Sequence, residues 1–311
     1  MCCIRRFSAQ VCRRTQLSLR NVTFYVMPSR ELETAKLLAL MAGKAIMDVY
    51  STEFLTEQKL GADDMYEPVT EADRIASQII VKGLTATFPA DAILSEEERD
   101  DVETRIGAKR VWIIDPIDGT AGFVKRDGDF AVQIGLAESG VPILGVVYEP
   151  AHNVLTFAVK GDGAFTLRGG QVPRRLTVSS RCHMDELTLA MSRNHPSPKM
   201  GKVVKALGIK NMIRRGSVGV KAGLISDRIC DVYIHPGPRT KIWDTCAPQL
   251  ILEEAGGKFT DIFGLPLKYD RADLQNRNGI LASNGACHNM VVEQLKPVLE
   301  ELGRTPYEPN I

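Results

Sequence analysis

The sequence predicts an α/β protein of the α+β kind, built in two consecutive parts. Two segments near the amino terminus carry apolar residues at helical spacing, and four short apolar runs follow with Gly, Pro or Asn between them. After residue 170, strand and helix patterns alternate. We therefore expect an amino-terminal α+β domain over residues 31–170 and a carboxy-terminal α/β domain over residues 171–311, with an interface between them.

The first domain should begin with two helices. Leucine, alanine and methionine recur at helical spacing from Glu31 to about Tyr50. A second helix is predicted from Glu71 to Phe88, and its apolar face should contain Ile75, Ile79, Leu84 and Phe88. The period then changes to that of strands, which indicates an antiparallel sheet with strands at 110–114, 130–138, 141–149 and 153–160.

The second domain should interleave strands with helices. Strands are predicted at 186–192, 230–235 and 279–283. Helices are predicted at 197–208, 217–228, 245–256 and about 286–302.

Composition narrows the class of protein. The 39 basic residues nearly cancel the 38 acidic ones, and no basic, aromatic-laced stripe is present, so a nucleic-acid partner is disfavoured. No apolar run approaches the roughly 20 residues of a membrane-spanning helix. The seven cysteines form no CxxC pair, which indicates a reducing compartment, with Cys230 and Cys246 as buried apolar residues. We expect a soluble protein whose partner is a small molecule.

Residues 1–30 differ from the rest of the chain. They carry six arginines and no acid, and the first acidic residue is Glu31. This composition is typical of a mitochondrial transit peptide, but Met27 stands just before the first helix and could be the natural start. We expect residues 1–30 to lie outside the fold. The expected location is the cytoplasm, or the mitochondrion if residues 1–26 are a transit peptide.

The most informative segment is WIIDPIDGTAGF, residues 112–123. A buried strand ends in Asp115 and Asp118, and Pro116 and Gly119 are expected to form a tight turn after it. Such a turn can direct both carboxylates and the Ile117 carbonyl into one space, and a helix starting there would offer free amides to a phosphate. The alternative is an ordinary surface turn.

Three further acidic sites have alternative explanations as helix caps. Thr70 with Asp73 fits a capping box, as does Ser95 with Glu98, and Asp244 could be a helix N-cap. However, a metal site formed by residues far apart in the sequence also places acids at the ends of separate elements. Here acids lie at the ends of four separate elements of an α/β core.

Electrostatics and ligand chemistry indicate which metal such a cage would hold. Like carboxylates in one site raise each other's pKa, so they need cations to stay ionised together. All candidate ligands are oxygens, which favours Mg²⁺, with Mn²⁺ as a substitute, over zinc. The candidates are Glu96, Asp115, Asp118 and Asp244, with Asp73 and Glu97 nearby.

Four segments together carry a resemblance to a known family. They are EPVTEAD (67–73), SEEE (95–98), WIIDPIDGTAGF (112–123) and KIWDTCAPQLILEEAGG (241–257). In this order they resemble the signature motifs of the lithium-sensitive, magnesium-dependent phosphatases related to inositol monophosphatase. The resemblance spans roughly residues 31–300. It implies a layered αβαβα sandwich with the active site between its two halves.

The resemblance also implies residue roles. Two or three Mg²⁺ ions would be bound: one by Glu96, Asp115 and the Ile117 carbonyl, and a second by Asp115, Asp118 and Asp244. Glu97 would lie behind them or touch a third ion. Asp73 and Thr120 would activate the attacking water, and the amides of Gly119 and Thr120 would bind the phosphate.

The substrate is indicated by the segments MSRNHPSPK and RRGSVGVKAG. With KIWDTCAP they most resemble the 3'(2'),5'-bisphosphate nucleotidase branch, which removes the 3'-phosphate of adenosine 3',5'-bisphosphate. That resemblance implies that His195, Ser217 and Lys221 bind the remaining 5'-phosphate. Without it, Ser217 would be interpreted as a helix cap and Lys221 as an ordinary helical lysine. Ala121 and His235 depart from the lysine and arginine of some relatives.

Two enzyme alternatives remain open, an inositol monophosphatase and a sugar bisphosphatase. A different class is a catalytically silent nucleotide or phosphate sensor. The presence of the complete set of proposed catalytic and metal-binding acids argues against a sensor. A homodimer is compatible with the sequence.

Overall fold

The computed structural model describes residues 29–60, 66–194 and 198–307. The predicted leader therefore lies outside the described residues, apart from Ser29, which caps the first helix, and Arg30, which begins it. Among the described residues, no helix is long and apolar enough to cross a membrane.

Helices α1 (Arg30–Tyr50) and α2 (Glu71–Thr87) form the first layer. Both were predicted, but the predicted apolar face of α2 was partly wrong. Leu84 is fully buried, whereas Ile75 and Ile79 are only half-buried. The buried stripe instead runs through Ala72, Ala76 and Ile80, because small side chains allow α2 to lie close to its neighbours.

The second layer is a seven-stranded sheet in the order β3-β4-β5-β6-β7-β8-β9. Only β3 and β4 pair in parallel, and the other pairs are antiparallel. The four predicted strands are present, and the short outer strands were missed. The strands are β3 (Ala92–Ser95), β4 (Arg110–Asp118), β5 (Ala131–Glu138), β6 (Val141–Glu149), β7 (Val154–Val159), β8 (Gly163–Arg168) and β9 (Arg174–Arg175). Short helices α3 (Val102–Gly107) and α4 (Thr120–Val124) flank β4.

The middle layer contains α6 (Val218–Ser226) and α7 (Ile242–Glu254), both buried over most of their length. Two glycines of the sheet let α7 approach closely. A Cβ at Gly135 would lie 2.6 Å from Cys246 Sγ, and one at Gly145 would lie 2.5 Å from the Ala247 carbonyl oxygen. The carboxylates on α7 are thereby held near the sheet.

A mixed five-stranded sheet in the order β11-β10-β12-β14-β13 and an outer helical layer complete the sandwich. The strands are β10 (Thr188–Ser192), β11 (Asn211–Arg215), β12 (Val232–His235), β13 (Lys258–Thr260) and β14 (Ile280–Ser283), and the outer helices are α5 (Pro198–Leu207) and α8 (His288–Glu301). The αβαβα order is confirmed. The domain boundary near residue 170 stays a prediction, since β9 still belongs to the first sheet.

One element lies apart from both large sheets. Strands β1 (Thr56–Leu60) and β2 (Tyr66–Thr70), neither of them predicted, pair antiparallel as a separate two-stranded hairpin. The hairpin leads directly into α2.

Cys230 and Cys246 are buried as predicted, and burial raises the pKa of the Cys230 thiol to about 12. Neither cysteine therefore has the character of a nucleophile.

Candidate active site

The two aspartates of β4 are brought to one face of the sheet by a β-bulge. Asp115 pairs with Gln133 and Asp118 with Ala131, so two residues of β4 oppose one residue of β5. Residues three apart in a regular strand point to opposite faces, and the extra residue cancels that difference. The expected tight turn was wrong in this respect: Pro116 sits inside the strand, at a bulge, where proline is tolerated.

Gly119 ends β4 with a backbone that only glycine adopts readily. Its φ is +97°, and a Cβ there would lie 2.7 Å from the Asp129 carbonyl oxygen. Helix α4 starts at the next residue, Thr120, as the phosphate-binding hypothesis required. The first amides of a helix have no partner within that helix.

Asp73 is both a capping residue and a neighbour of Thr120. Its Oδ2 accepts hydrogen bonds from the Thr70 amide at 2.7 Å and the Thr70 hydroxyl at 2.6 Å, which is the predicted capping box. Its Oδ1 accepts a hydrogen bond from Thr120 Oγ1 at 3.1 Å. Burial raises the pKa of Asp73, although the Thr70 bonds oppose this. The cap therefore orients a carboxylate whose other oxygen faces the site.

Two cap predictions were wrong in detail. Asp244 is the third residue of α7 and not its N-cap, which is Lys241, and its Oδ2 accepts a hydrogen bond from the Lys241 amide at 2.5 Å. No helix begins at Ser95 or Glu98, because that segment is a turn after β3. Glu98 instead accepts a hydrogen bond from the Ser77 hydroxyl at 3.1 Å.

Asp115, Asp118 and Asp244 form an acidic cluster. One carboxylate oxygen from each lies within 4.8 Å of the others. Burial raises the pKa of all three, and mutual repulsion, together with Glu96, raises those of Asp115 and Asp244 further. Such an oxygen-only set fits a hard divalent cation.

Glu96 and Glu97 follow β3 and contact a lysine that the sequence did not single out. Lys59 Nζ lies 2.9 Å from Glu96 Oε1 and 2.5 Å from Glu97 Oε1. Although burial lowers the pKa of the Lys59 ammonium, the two carboxylates raise it above its usual range. Burial and Glu96 raise the pKa of Glu97. Lys59 lies on β1, an unpredicted strand, and the sequence carries no signal for this contact.

Ser217 and Lys221 lie beside the acidic cluster. Ser217 caps α6, the alternative to the predicted substrate contact, since its Oγ accepts a hydrogen bond from the Val220 amide, and it donates to Asp118 Oδ2 at 2.5 Å. The Lys221 ammonium donates to the Gly216 carbonyl at 3.2 Å and lies 4.5 Å from the Tyr233 ring centre. Burial lowers the pKa of Lys221 to about 8. His195, the third predicted contact, lies outside the described residues.

Many of these groups line one cavity of about 320 Å³. Its lining includes Glu96, the acidic cluster, Gly119 and Thr120. It also includes three cationic residues, Lys221, Arg239 and Lys241. Arg239 and Lys241 were missed, although two cations just before Asp244 could have drawn attention. The cavity is thus lined by both acidic and cationic residues.

Comparison with known proteins identifies the family. Residues 27–300 match the model of the inositol monophosphatase family. The chain is 37% identical over 232 residues to the 3'(2'),5'-bisphosphate nucleotidase CysQ of Escherichia coli K12, which covers 75% of this chain and 91% of that protein. The Haemophilus influenzae CysQ is 30% identical over 243 residues, covering 78% and 88%. The chain belongs to the inositol monophosphatase family, whose members are metal-dependent phosphatases.

Solved structures agree with this assignment. CysQ from Bacteroides thetaiotaomicron superposes with a TM-score of 0.69 at 31% identity, covering 81% of this chain and 96% of that one. The inositol monophosphatase of Thermotoga maritima superposes with a TM-score of 0.74 at 29% identity, covering 88% and 100%. Both branches considered from the sequence are therefore represented among its structural relatives.

The buried acidic cluster should destabilise the metal-free protein. A carboxyl whose pKa is raised by folding lowers the free energy of unfolding as the pH rises from its unfolded to its folded pKa, because the unfolded state releases its proton first. In excess chelator, Asp115→Asn should raise the free energy of unfolding by about 1–2 kcal/mol at pH 7.5 and by less at pH 5. Urea denaturation at both pH values measures this.

Asp101→Asn is the matched control, because Asp101 is an exposed helix cap whose pKa is lowered by hydrogen bonds to Thr104. It should not stabilise the protein at either pH. An Asp115→Asn protein that is less stable than wild type at pH 7.5 would show that repulsion in the cluster is unimportant.

Proposed function

We propose that the protein is a magnesium-dependent phosphate monoesterase that hydrolyses adenosine 3',5'-bisphosphate to AMP and phosphate. The observation that carries this proposal is a cavity lined by both acidic and cationic residues: the acids suit the metals that would bind the reacting phosphate, and the cations suit a second phosphate. The similarity to bisphosphate nucleotidases at 30–37% identity supports the same substrate class.

Magnesium would be held by oxygen ligands on three elements. Asp115, Asp118 and Asp244 would bind one ion, and Glu96, Asp115 and the Ile117 carbonyl another, with Glu97 close to a third. The oxygen-only donor set and the close approach of the acidic cluster fit this assignment. When bound, the metals would supply an acidic water and neutralise the leaving oxygen of an in-line displacement.

The protein's own contribution to the attack would come from Asp73 and Thr120. Thr120 Oγ1 donates to Asp73 Oδ1 and lies 3.1 Å from the Ile117 carbonyl, so its lone pair remains available to a water. The water oxygen would form the new bond to phosphorus as the ester oxygen leaves. The water's proton would pass to Thr120 as the Thr120 proton passes to Asp73.

The phosphate groups would be bound by different parts of the cavity. The amides of Gly119 and Thr120, at the start of α4, would hold the reacting phosphate. The 5'-phosphate was assigned to His195, Ser217 and Lys221. Because Ser217 already donates a hydrogen bond to Asp118 and Lys221 is buried, we extend this assignment to Arg239 and Lys241, which also line the cavity.

An inositol monophosphatase is the alternative that the superposition on the Thermotoga maritima enzyme supports. A sugar bisphosphatase is the other enzyme alternative. A sensor without catalytic activity is disfavoured by the intact contact between Asp73 and Thr120. Phosphate release from adenosine 3',5'-bisphosphate, inositol 1-phosphate and fructose 1,6-bisphosphate, measured side by side, distinguishes these functions.

Activity should depend on divalent metal. Excess chelator should abolish phosphate release, and Mg²⁺ should restore it, because the clustered carboxylates cannot bind a phosphate dianion without cations. Millimolar lithium should inhibit, as in the related phosphatases. Full turnover in excess chelator would contradict the metal assignment.

The substitution Asp244→Asn tests whether Asp244 binds metal or only caps α7. An asparagine side chain can still accept a hydrogen bond from the Lys241 amide, so the free energy of unfolding should not fall by more than about 1 kcal/mol. In excess chelator it should rise, as for Asp115→Asn, because one acid of the cluster is neutralised. The rate should nevertheless fall roughly a thousandfold or more if Asp244 binds metal. Steady-state kinetics and urea denaturation test both statements.

The control is Asp101→Asn, which alters a cap at α3, outside the cavity lining. It should leave the rate unchanged. A near-normal rate for Asp244→Asn would mean that this residue only caps α7.

Arg239→Ala tests the substrate. Arg239 is exposed, whereas removal of the buried Lys221 would leave a gap beside Asp118. Loss of a charge-assisted phosphate contact should lower kcat/KM for adenosine 3',5'-bisphosphate roughly tenfold to a hundredfold. Hydrolysis of adenosine 3'-monophosphate, which lacks the 5'-phosphate, should be unchanged.

Arg174→Ala serves as the control, because Arg174 is an exposed arginine that pairs with Asp227 and does not line the cavity. Equal losses on both nucleotides would show that Arg239 does not recognise the 5'-phosphate. A wild-type preference for inositol 1-phosphate would instead overturn the nucleotide assignment.

A further inference from the structure

Lys59 occupies the position of a cation between two proposed metal-site carboxylates. Its ammonium touches Glu96 Oε1 and Glu97 Oε1, at 2.9 and 2.5 Å. The Glu96 and Glu97 side chains are only 15% and 9% exposed, and that of Lys59 is 29% exposed. Water therefore screens this charge triad much less than it screens a surface ion pair.

The element that carries Lys59 is attached differently from the rest of the site. Strand β1 pairs only with β2, and this hairpin joins neither large sheet. An isolated two-stranded hairpin has little stability of its own. Glu57, on the same strand, makes a two-point ion pair with Arg74 of α2. Lys59 can therefore leave the carboxylates without disturbing either sheet.

The second lysine at the site is held in a different way. Lys221 lies on α6, inside the middle layer, and its ammonium donates to the backbone of Gly216. It is 2% exposed. The charge beside Asp118 is therefore built into the core, whereas the charge beside Glu96 and Glu97 is carried on a hairpin.

We propose that Lys59 is a positioning residue that supplies the positive charge between Glu96 and Glu97 before metal binds, and that it competes with a divalent ion for these carboxylates. An ammonium and a divalent ion repel each other and use the same oxygen lone pairs, so Lys59 departs as the ion binds. Lys59 thus weakens metal binding while protecting the empty site from repulsion between its acids. The inference rests on the proposed metal site.

The test is a calorimetric titration of the full chain with Mn²⁺ in the absence of substrate. Lys59→Met keeps the side-chain length and removes the charge, and it should tighten binding about tenfold or more, the range expected when a charged hydrogen-bonding competitor is lost. Lys59→Arg should bind nearly as wild type. Unchanged or weaker binding by Lys59→Met would overturn the proposal.

Glu57→Gln is the matched control, because it removes an ion pair of the same strand without touching Glu96 or Glu97. It should leave Mn²⁺ affinity unchanged. If Glu57→Gln tightens binding as much as Lys59→Met does, the effect comes from loosening the hairpin, and competition by Lys59 is excluded.

Thermal unfolding provides a second readout. In chelator, Lys59→Met should melt below wild type, since Glu96 and Glu97 then repel without a counter-charge, and saturating Mg²⁺ should remove the difference. An equal loss with and without Mg²⁺ would mean that Lys59 is merely structural, which overturns the proposal.

Glu96→Gln separates failure of this inference from failure of the metal site. If wild type binds Mn²⁺ and Glu96→Gln weakens that binding, the site stands and Lys59→Met alone decides the inference. If Glu96→Gln has no effect, Glu96 is not a ligand and both proposals fall. Because no substrate is present, the outcome does not depend on which phosphate ester is hydrolysed.

Discussion

Repulsion between buried carboxylates is the constraint on which this site depends. Asp115 and Asp118 are buried and Asp244 is half-buried, and one carboxylate oxygen of each lies within 4.8 Å of the others. Two unit charges at such a distance repel strongly once they are out of bulk water. The fold therefore has to hold these carboxylates together against their mutual repulsion, whereas a bound cation would be attracted by all of them.

Close packing between the first sheet and α7 provides that restraint. Gly135 and Gly145 contribute no side chain of the sheet at this contact, so Cys246 and Ala247 of α7 pack directly on the strands and hold the Asp244 end of the helix close to the sheet. The bulge in β4 then turns Asp118 toward the same side as Asp115. Neither feature contributes a ligand, yet without both the three oxygens would not meet.

Local features of the sequence predicted much of this architecture. The 3.6-residue and two-residue periodicities of apolar residues predicted both helices of the first layer and four strands of the first sheet. The acids at the ends of separate elements indicated an oxygen-only metal site. The bulge was not predictable, because whether Pro116 and Ile117 form a turn or a bulge depends on how β4 pairs with β5. The position of Asp244 in α7 likewise depends on where the helix starts.

The contact between Lys59 and the two glutamates could not be predicted from local sequence patterns, for a different reason. Lys59 is 37 residues from Glu96, and its strand is short, polar and paired with only one partner, so no period marks it. The same holds for Arg239 and Lys241, which lie in the loop that precedes α7. Their importance follows from the cavity that they line and not from any pattern in their own segment.

The two lysines of the site indicate how its charges are divided between permanent and replaceable ones. Lys221 is enclosed by the core near Asp118, where its ammonium offsets part of the negative charge of the cluster. Full neutralisation by fixed lysines would leave no field to attract a metal ion. Under the proposal for Lys59, a fixed cation beside Asp118 and a replaceable one beside Glu96 would reduce repulsion between the acids while leaving enough negative potential to attract a metal ion. Counter-charges of both kinds would then let one acidic site be stable with and without its metal.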